Sequence, residues 1–66
     1  MKLILNGKPE SIENPLDLDA LVAARGLCPG KIVVEHNGCI ISPEDRAKVL
    51  LKDGDIVEII SFVGGG

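Results

Sequence analysis

Three dipeptides, Asn6-Gly7, Asn37-Gly38 and Asp53-Gly54, cut this sequence into short pieces. Glycine, and to a lesser degree Asn and Asp, tolerate the left-handed backbone of a type I′ turn. That turn has the twist that joins two antiparallel strands, so each pair predicts a tight reversal. KLIL before the first pair and KPESI after it read as one antiparallel pair of strands. KIVVEH and CIIS around the second read as another. The third precedes IVEIISFV, the segment richest in β-branched residues and the best strand of the chain.

One segment between the hairpins has helical spacing. In PLDLDALVAARG, Leu18, Leu21, Val22 and Arg25 recur at i, i+3, i+4 and i+7. Asp17 is positioned to cap the first turn, Asp19 lies favourably within it, and Gly26 supplies a C-terminal stop. Ser42-Pro43-Glu44-Asp45 resembles a second cap, with proline at the first helical position, and predicts one short helical turn. KVLL adds either a brief strand or a covering loop.

The predicted order is ββαββ(β), with a single main helix for the whole sheet. One helix covers only one face of four or five strands. Yet Leu3-Ile4-Leu5 and Ile56-Val57 with Ile59-Ile60 are apolar on both sides of their strands. Ile56, Ile60 and Phe62 share one side, and Val57, Ile59 and Val63 the other. Strands of that kind belong at the centre of a sheet, and pairing the first with the last in parallel puts both there. The expected fold class is therefore α+β: a β-grasp, ubiquitin-like mixed sheet of four to five strands with the helix on one face. The other face stays apolar and uncovered, which suggests a docking surface.

Composition excludes several function classes. Sixty-six residues make one small domain that buries about 60% of its unfolded surface. With one Phe and no Trp or Tyr, its core must be aliphatic. Ten acidic against seven basic residues, a net charge of −3, oppose nucleic-acid binding, and no aromatic platform exists for stacking bases. No apolar run approaches the roughly 20 residues of a membrane span. MKLILNGKPE turns polar too early for a secretory signal, so the expectation is a cytoplasmic protein with free thiols at Cys28 and Cys39.

The remaining candidates for chemistry have simpler readings. Cys28, His36 and Cys39 are three loosely spaced groups, whereas structural zinc takes four ligands in recognisable pairs, so no metal site is expected. Cys28 follows a helix C-terminus, the wrong pole for a thiolate, and Cys39 reads as a strand residue; a small thiol enzyme is the reading these two would support. Asp53 and Asp55 read as turn residues. Glu44, Asp45, Arg46 and Lys48 read as a solvated face.

The ending SFVGGG is different in kind. A central strand that runs into glycines carries a carboxylate on a tether, and the four residues after Phe62 reach roughly 13–14 Å when extended. Lacking side chains, Gly64, Gly65 and Gly66 can thread a narrow channel that any Cβ would block. The ionised carboxylate is a poor acyl donor until it is adenylated, and its AMP then becomes a leaving group. The sequence has no phosphate-cradling loop, so a partner must bind the ATP.

With these segments in hand, KLILNG, DLDALV, IVVEHNGCII, LKDGDIVEII and the terminal glycines, the chain resembles along its whole length the ThiS sulfur carriers of thiamin biosynthesis. Gly64 extends the family's diglycine, which falls on Gly65 and Gly66. The resemblance implies a β-grasp domain at 1–62 and a flexible tail at 63–66. It implies no catalytic residue and no bound cofactor. A ThiF-type adenylyltransferase would use ATP to activate Gly66. Sulfur from a donor such as a cysteine desulfurase would make the thiocarboxylate, and the thiazole synthase ThiG would receive it. Phe62, Val63 and Ile60, at the root of the tail, are the expected docking residues, with Phe62 also readable as the last core residue. The alternatives are a MoaD-like carrier of molybdopterin synthase and a ubiquitin-like modifier or interaction module.

Overall fold

A computed structural model describes residues 1–13 and 15–62. Five strands, β1 (Lys2–Leu5), β2 (Lys8–Ser11), β3 (Ile32–His36), β4 (Cys39–Ile41) and β5 (Ile56–Ser61), form one sheet in the order β2-β1-β5-β3-β4. The helix α1 (Leu18–Ala24) follows the first hairpin. β1 and β5 run parallel at the centre, with Ile4 opposite Ile56 and Leu5 opposite Val57. The other neighbours are antiparallel. This is the β-grasp arrangement that the double-sided strands predict.

The two Asn-Gly turns have type I′ geometry. Asn6 and Gly7 take φ values of 51° and 81°, and Asn37 and Gly38 take 51° and 88°. Each asparagine does a second job. Asn6 Oδ1 accepts a hydrogen bond from the Ile59 N–H, and Asn37 Oδ1 accepts one from the Ile56 N–H, both at 2.8 Å. The hairpin turns therefore clamp β5 from both of its edges. At Asp53-Gly54 the expectation of a hairpin fails: only Gly54 is left-handed, and no sheet strand precedes it. KVLL instead pairs outside the sheet, where Leu18 N–H donates to Val49 O and Leu51 N–H donates to Leu16 O. The loop before the helix, rather than the sheet, supplies the partner, and Leu51 is thereby carried into the core.

Helix α1 begins where Asp17 accepts the Ala20 N–H at 2.7 Å, the cap expected from its sequence. It ends in a Schellman motif: Gly26 N–H donates to Ala23 O and Leu27 N–H to Val22 O, with Gly26 at φ 69°. Leu18, Leu21 and Val22 are buried against Leu3, Leu5, Ile32, Val34, Leu51 and Val57. Each such burial stabilises by about 2 kcal/mol relative to an exposed side chain. Arg25, the fourth residue of the predicted stripe, stays at the surface and pairs with Glu10 on β2 at 2.6 Å.

A six-residue 3₁₀ segment, Pro43–Lys48, replaces the single turn expected after Ser42. Proline occupies its first turn as predicted, but the Ser42 hydroxyl donates to the Asp45 carboxylate and caps no backbone group. The solvated-face reading needs correction at Arg46, which is 1% exposed. Its Nη1 and Nη2 donate to the carbonyls of Pro29 and Ile32 at 2.9 and 3.1 Å. Those carbonyls belong to a second, unpredicted 3₁₀ turn at Pro29–Lys31 and to the start of β3. Glu44, Asp45 and Lys48 are exposed.

Candidate functional site

The face of the sheet turned away from α1 carries the candidate site. Strand alternation and register bring Ile4 of β1, Ile56, Glu58 and Ile60 of β5, Val33 and Glu35 of β3, and Ile40 of β4 to this side. Ile56, Ile60 and Ile40 are 49%, 50% and 70% exposed. No helix packs on them because the one main helix covers the opposite face. An apolar surface assembled from four adjacent strands differs from scattered exposed aliphatics and fits a contact with another protein.

Phe62 lies just past the end of β5, and its N–H donates to Lys31 O at 3.2 Å, which prolongs the β5–β3 pairing. Its side chain is 60% exposed. It is therefore not the closing residue of the core, and it shares the open side with Ile60. Val63, Gly64 and Gly65, expected to thread a partner's channel, and Gly66 lie outside the described residues.

In the middle of this face, Glu35 and Glu58 stand directly opposite each other on β3 and β5. Among the described residues neither joins an ion pair. Like charges in that position weaken a strand pair. Sequence reading missed this pair because it requires the register. Its only trace in the sequence is one glutamate among apolar residues in each of VVEH and IVEII.

The polar cluster at the sheet's end has a structural role. Asp55 accepts hydrogen bonds from His36 Nε2 at 2.8 Å, Asn37 Nδ2 at 3.1 Å and the Lys52 N–H at 2.9 Å. Burial by itself would raise its pKa, but these bonds outweigh burial and hold the carboxyl below its ordinary value. Asp55 thus does more than shape a turn: it ties the β3–β4 hairpin to the segment leading into β5. Asp53 binds the Lys2 N–H at 2.6 Å. Cys28 and Cys39 are exposed free thiols, Cys39 on strand β4 as expected. Among the described residues no three His, Cys, Asp or Glu side chains gather as a metal site would require. No helix there is long and apolar enough to cross a membrane.

Comparison with known proteins gives this geometry a context. The model of the ThiS family matches residues 3–66. The sulfur carrier protein ThiS of Bacillus subtilis is 38% identical over 65 residues, covering 97% of this chain and 98% of the relative. A thiazole synthase of Magnetococcus marinus is 36% identical over all 66 residues, and one of Paramagnetospirillum magneticum matches to the same extent. The chain spans only 20% of the length of those two synthases. The crystal structure of a thiamine biosynthesis protein (ThiS) from Geobacter metallireducens superposes with a TM-score of 0.86 at 35% identity, covering 100% of both chains.

Proposed function

The chain belongs to the ThiS family, and from that premise we propose that it is a sulfur carrier for thiamin biosynthesis, acting through the carboxylate of Gly66. Residues 1–62 form the docking domain and 63–66 the tether that enters a partner's active site. The observation that carries this reading is the pairing of the family match, which extends through Gly66, with an exposed apolar face on the strand that leads into the glycines.

The chemistry follows from what a carboxylate lacks. Its oxygen attacks the α-phosphorus of ATP in a ThiF-type adenylyltransferase, and pyrophosphate leaves. The terminal sulfur of a persulfide, formed by a donor such as a cysteine desulfurase, then attacks the acyl carbon and AMP leaves. A thiol cleaves the resulting acyl disulfide, which yields the thiocarboxylate and a disulfide. The thiocarboxylate sulfur passes to the thiazole under construction on a ThiG-type synthase, and the carboxylate is regenerated. Every catalytic group belongs to a partner; this chain is a co-substrate. Relatives of fivefold length that bear the name thiazole synthase and include a segment like this one support that choice of acceptor.

Intact-mass measurement after incubation with the adenylating enzyme, ATP and a persulfide donor tests the proposal. Exchange of one oxygen for sulfur at the C-terminus is the expected result. Branched amide conjugates would instead identify a protein modifier, and an unchanged mass would overturn the carrier reading.

A further inference from the structure

The Glu35–Glu58 pair lies within the apolar part of the open face. Ile40 is opposite Glu35 on β4, Val33 precedes Glu35 by two residues, and Ile56 and Ile60 bracket Glu58. In the free protein Glu58 is exposed and Glu35 half-buried, so water screens their repulsion. A partner that covers the isoleucines must also strip that water away. Two facing carboxylates without a counter-charge would then oppose docking, because desolvating unpaired charge is costly. Apolar residues on adjacent strands would have served an apolar partner better, so the pair requires a cation from the other side.

We infer that Glu35 and Glu58 together receive one arginine of the thiazole synthase, flanked on that enzyme by apolar side chains that meet Ile40, Ile56 and Ile60. Arginine fits better than lysine. Its planar fork can bond two carboxylates at once, and it is more weakly hydrated than an ammonium group. The pair then acts as a register and specificity element, rejecting surfaces that are apolar alone. This inference rests on the proposed carrier function, and among its partners the synthase is taken as the occupant because relatives named thiazole synthase include a segment like this one.

The test measures binding of the full chain to the cognate synthase and, separately, to the adenylating enzyme by titration at several salt concentrations, beside thermal unfolding of the free carrier. The E35Q/E58Q double variant is expected to bind about tenfold more weakly, with a flatter salt dependence. The same variant should unfold at a higher temperature when free, because removing facing charges relieves the sheet. A purely structural pair would not weaken binding while stabilising the fold. Ile60→Asp serves as the control for the face itself. Should Ile60→Asp lose binding while E35Q/E58Q retains it, the arginine inference falls and the docking face stands. Should both variants bind as the parent does, the docking reading falls with it. Weakening confined to the adenylating enzyme would overturn the synthase as the occupant.

Discussion

Arg46 Nη1 lies 2.9 Å from the carbonyl oxygen of Pro29, with the guanidinium buried beside a small aliphatic core. With Nη2 on Ile32 O, the guanidinium joins the 3₁₀ segment at Pro43–Lys48 to the loop that leaves α1 and to the start of β3. Arg46→Ala removes both donors, strands two carbonyls and opens a cavity. A loss of about 3 kcal/mol in denaturant unfolding is expected. Arg46→Lys should recover only part of it, since one ammonium cannot reproduce the fork.

Acid should weaken the Asp55 cluster. A carboxyl whose folded pKa lies below its unfolded value stabilises the fold fully above the unfolded pKa, about 3.9. That contribution disappears as pH falls through the lower folded value. Asp55→Ala should cost about 2 kcal/mol at pH 7 by leaving the Lys52 N–H and the His36 and Asn37 donors without their acceptor. Its unfolding free energy should also change less than that of the parent between pH 5 and 2, which urea titration at each pH would measure.

The asparagines of the two hairpin turns separate conformation from clamping. Asn37→Gly keeps the left-handed turn but gives up the bonds to the Ile56 N–H and to Asp55, at a cost of about 2 kcal/mol. Asn37→Ala loses the turn conformation as well and should cost about 3 kcal/mol. Asn37→Asp keeps that acceptor but loses the donor and sets a second carboxylate against Asp55, so it too should be destabilised. Asn6 separates the two effects through Ile59: Gly should cost about 1 kcal/mol, Ala about 2 kcal/mol, and Asp, which keeps the acceptor, should fall closest to the parent. No loss for Asn6→Gly would mean that the clamp contributes nothing, and equal losses for Gly and Ala that the left-handed turn contributes nothing.

On the proposed reading the tail and the face should make separable contributions to function. Deleting Gly66, or adding one residue beyond it, should abolish thiocarboxylate formation without changing the melting temperature, because residues 1–62 hold all of the described core. Ile60→Asp should also leave stability nearly unchanged, since Ile60 is half exposed, but should weaken partner binding by about 2 kcal/mol. A melting-temperature shift of several degrees for either variant would argue against that division.

Local physics made much of this protein legible in advance. Turn dihedrals are set by the two residues at a turn, so Asn6-Gly7 and Asn37-Gly38 announced both hairpins. Helical periodicity and caps are set within a few residues, so Asp17, Leu18, Leu21, Val22 and Gly26 announced α1. Strands apolar on both sides announced a parallel central pair, and with it the β-grasp sheet and its uncovered face. Asp53-Gly54 misled because Asp-Gly also suits turns that join no hairpin. Arg46 was read as solvated because its charge and neighbours look like a surface segment. Only the folded chain brings the Pro29 and Ile32 carbonyls to its guanidinium, 17 and 14 residues away. The clamping bonds of Asn6 and Asn37 onto β5, the gathering of His36 and Asn37 around Asp55, and the meeting of Glu35 with Glu58 have the same origin. Each depends on strand register and on contacts between distant segments, and no short window of sequence contains either.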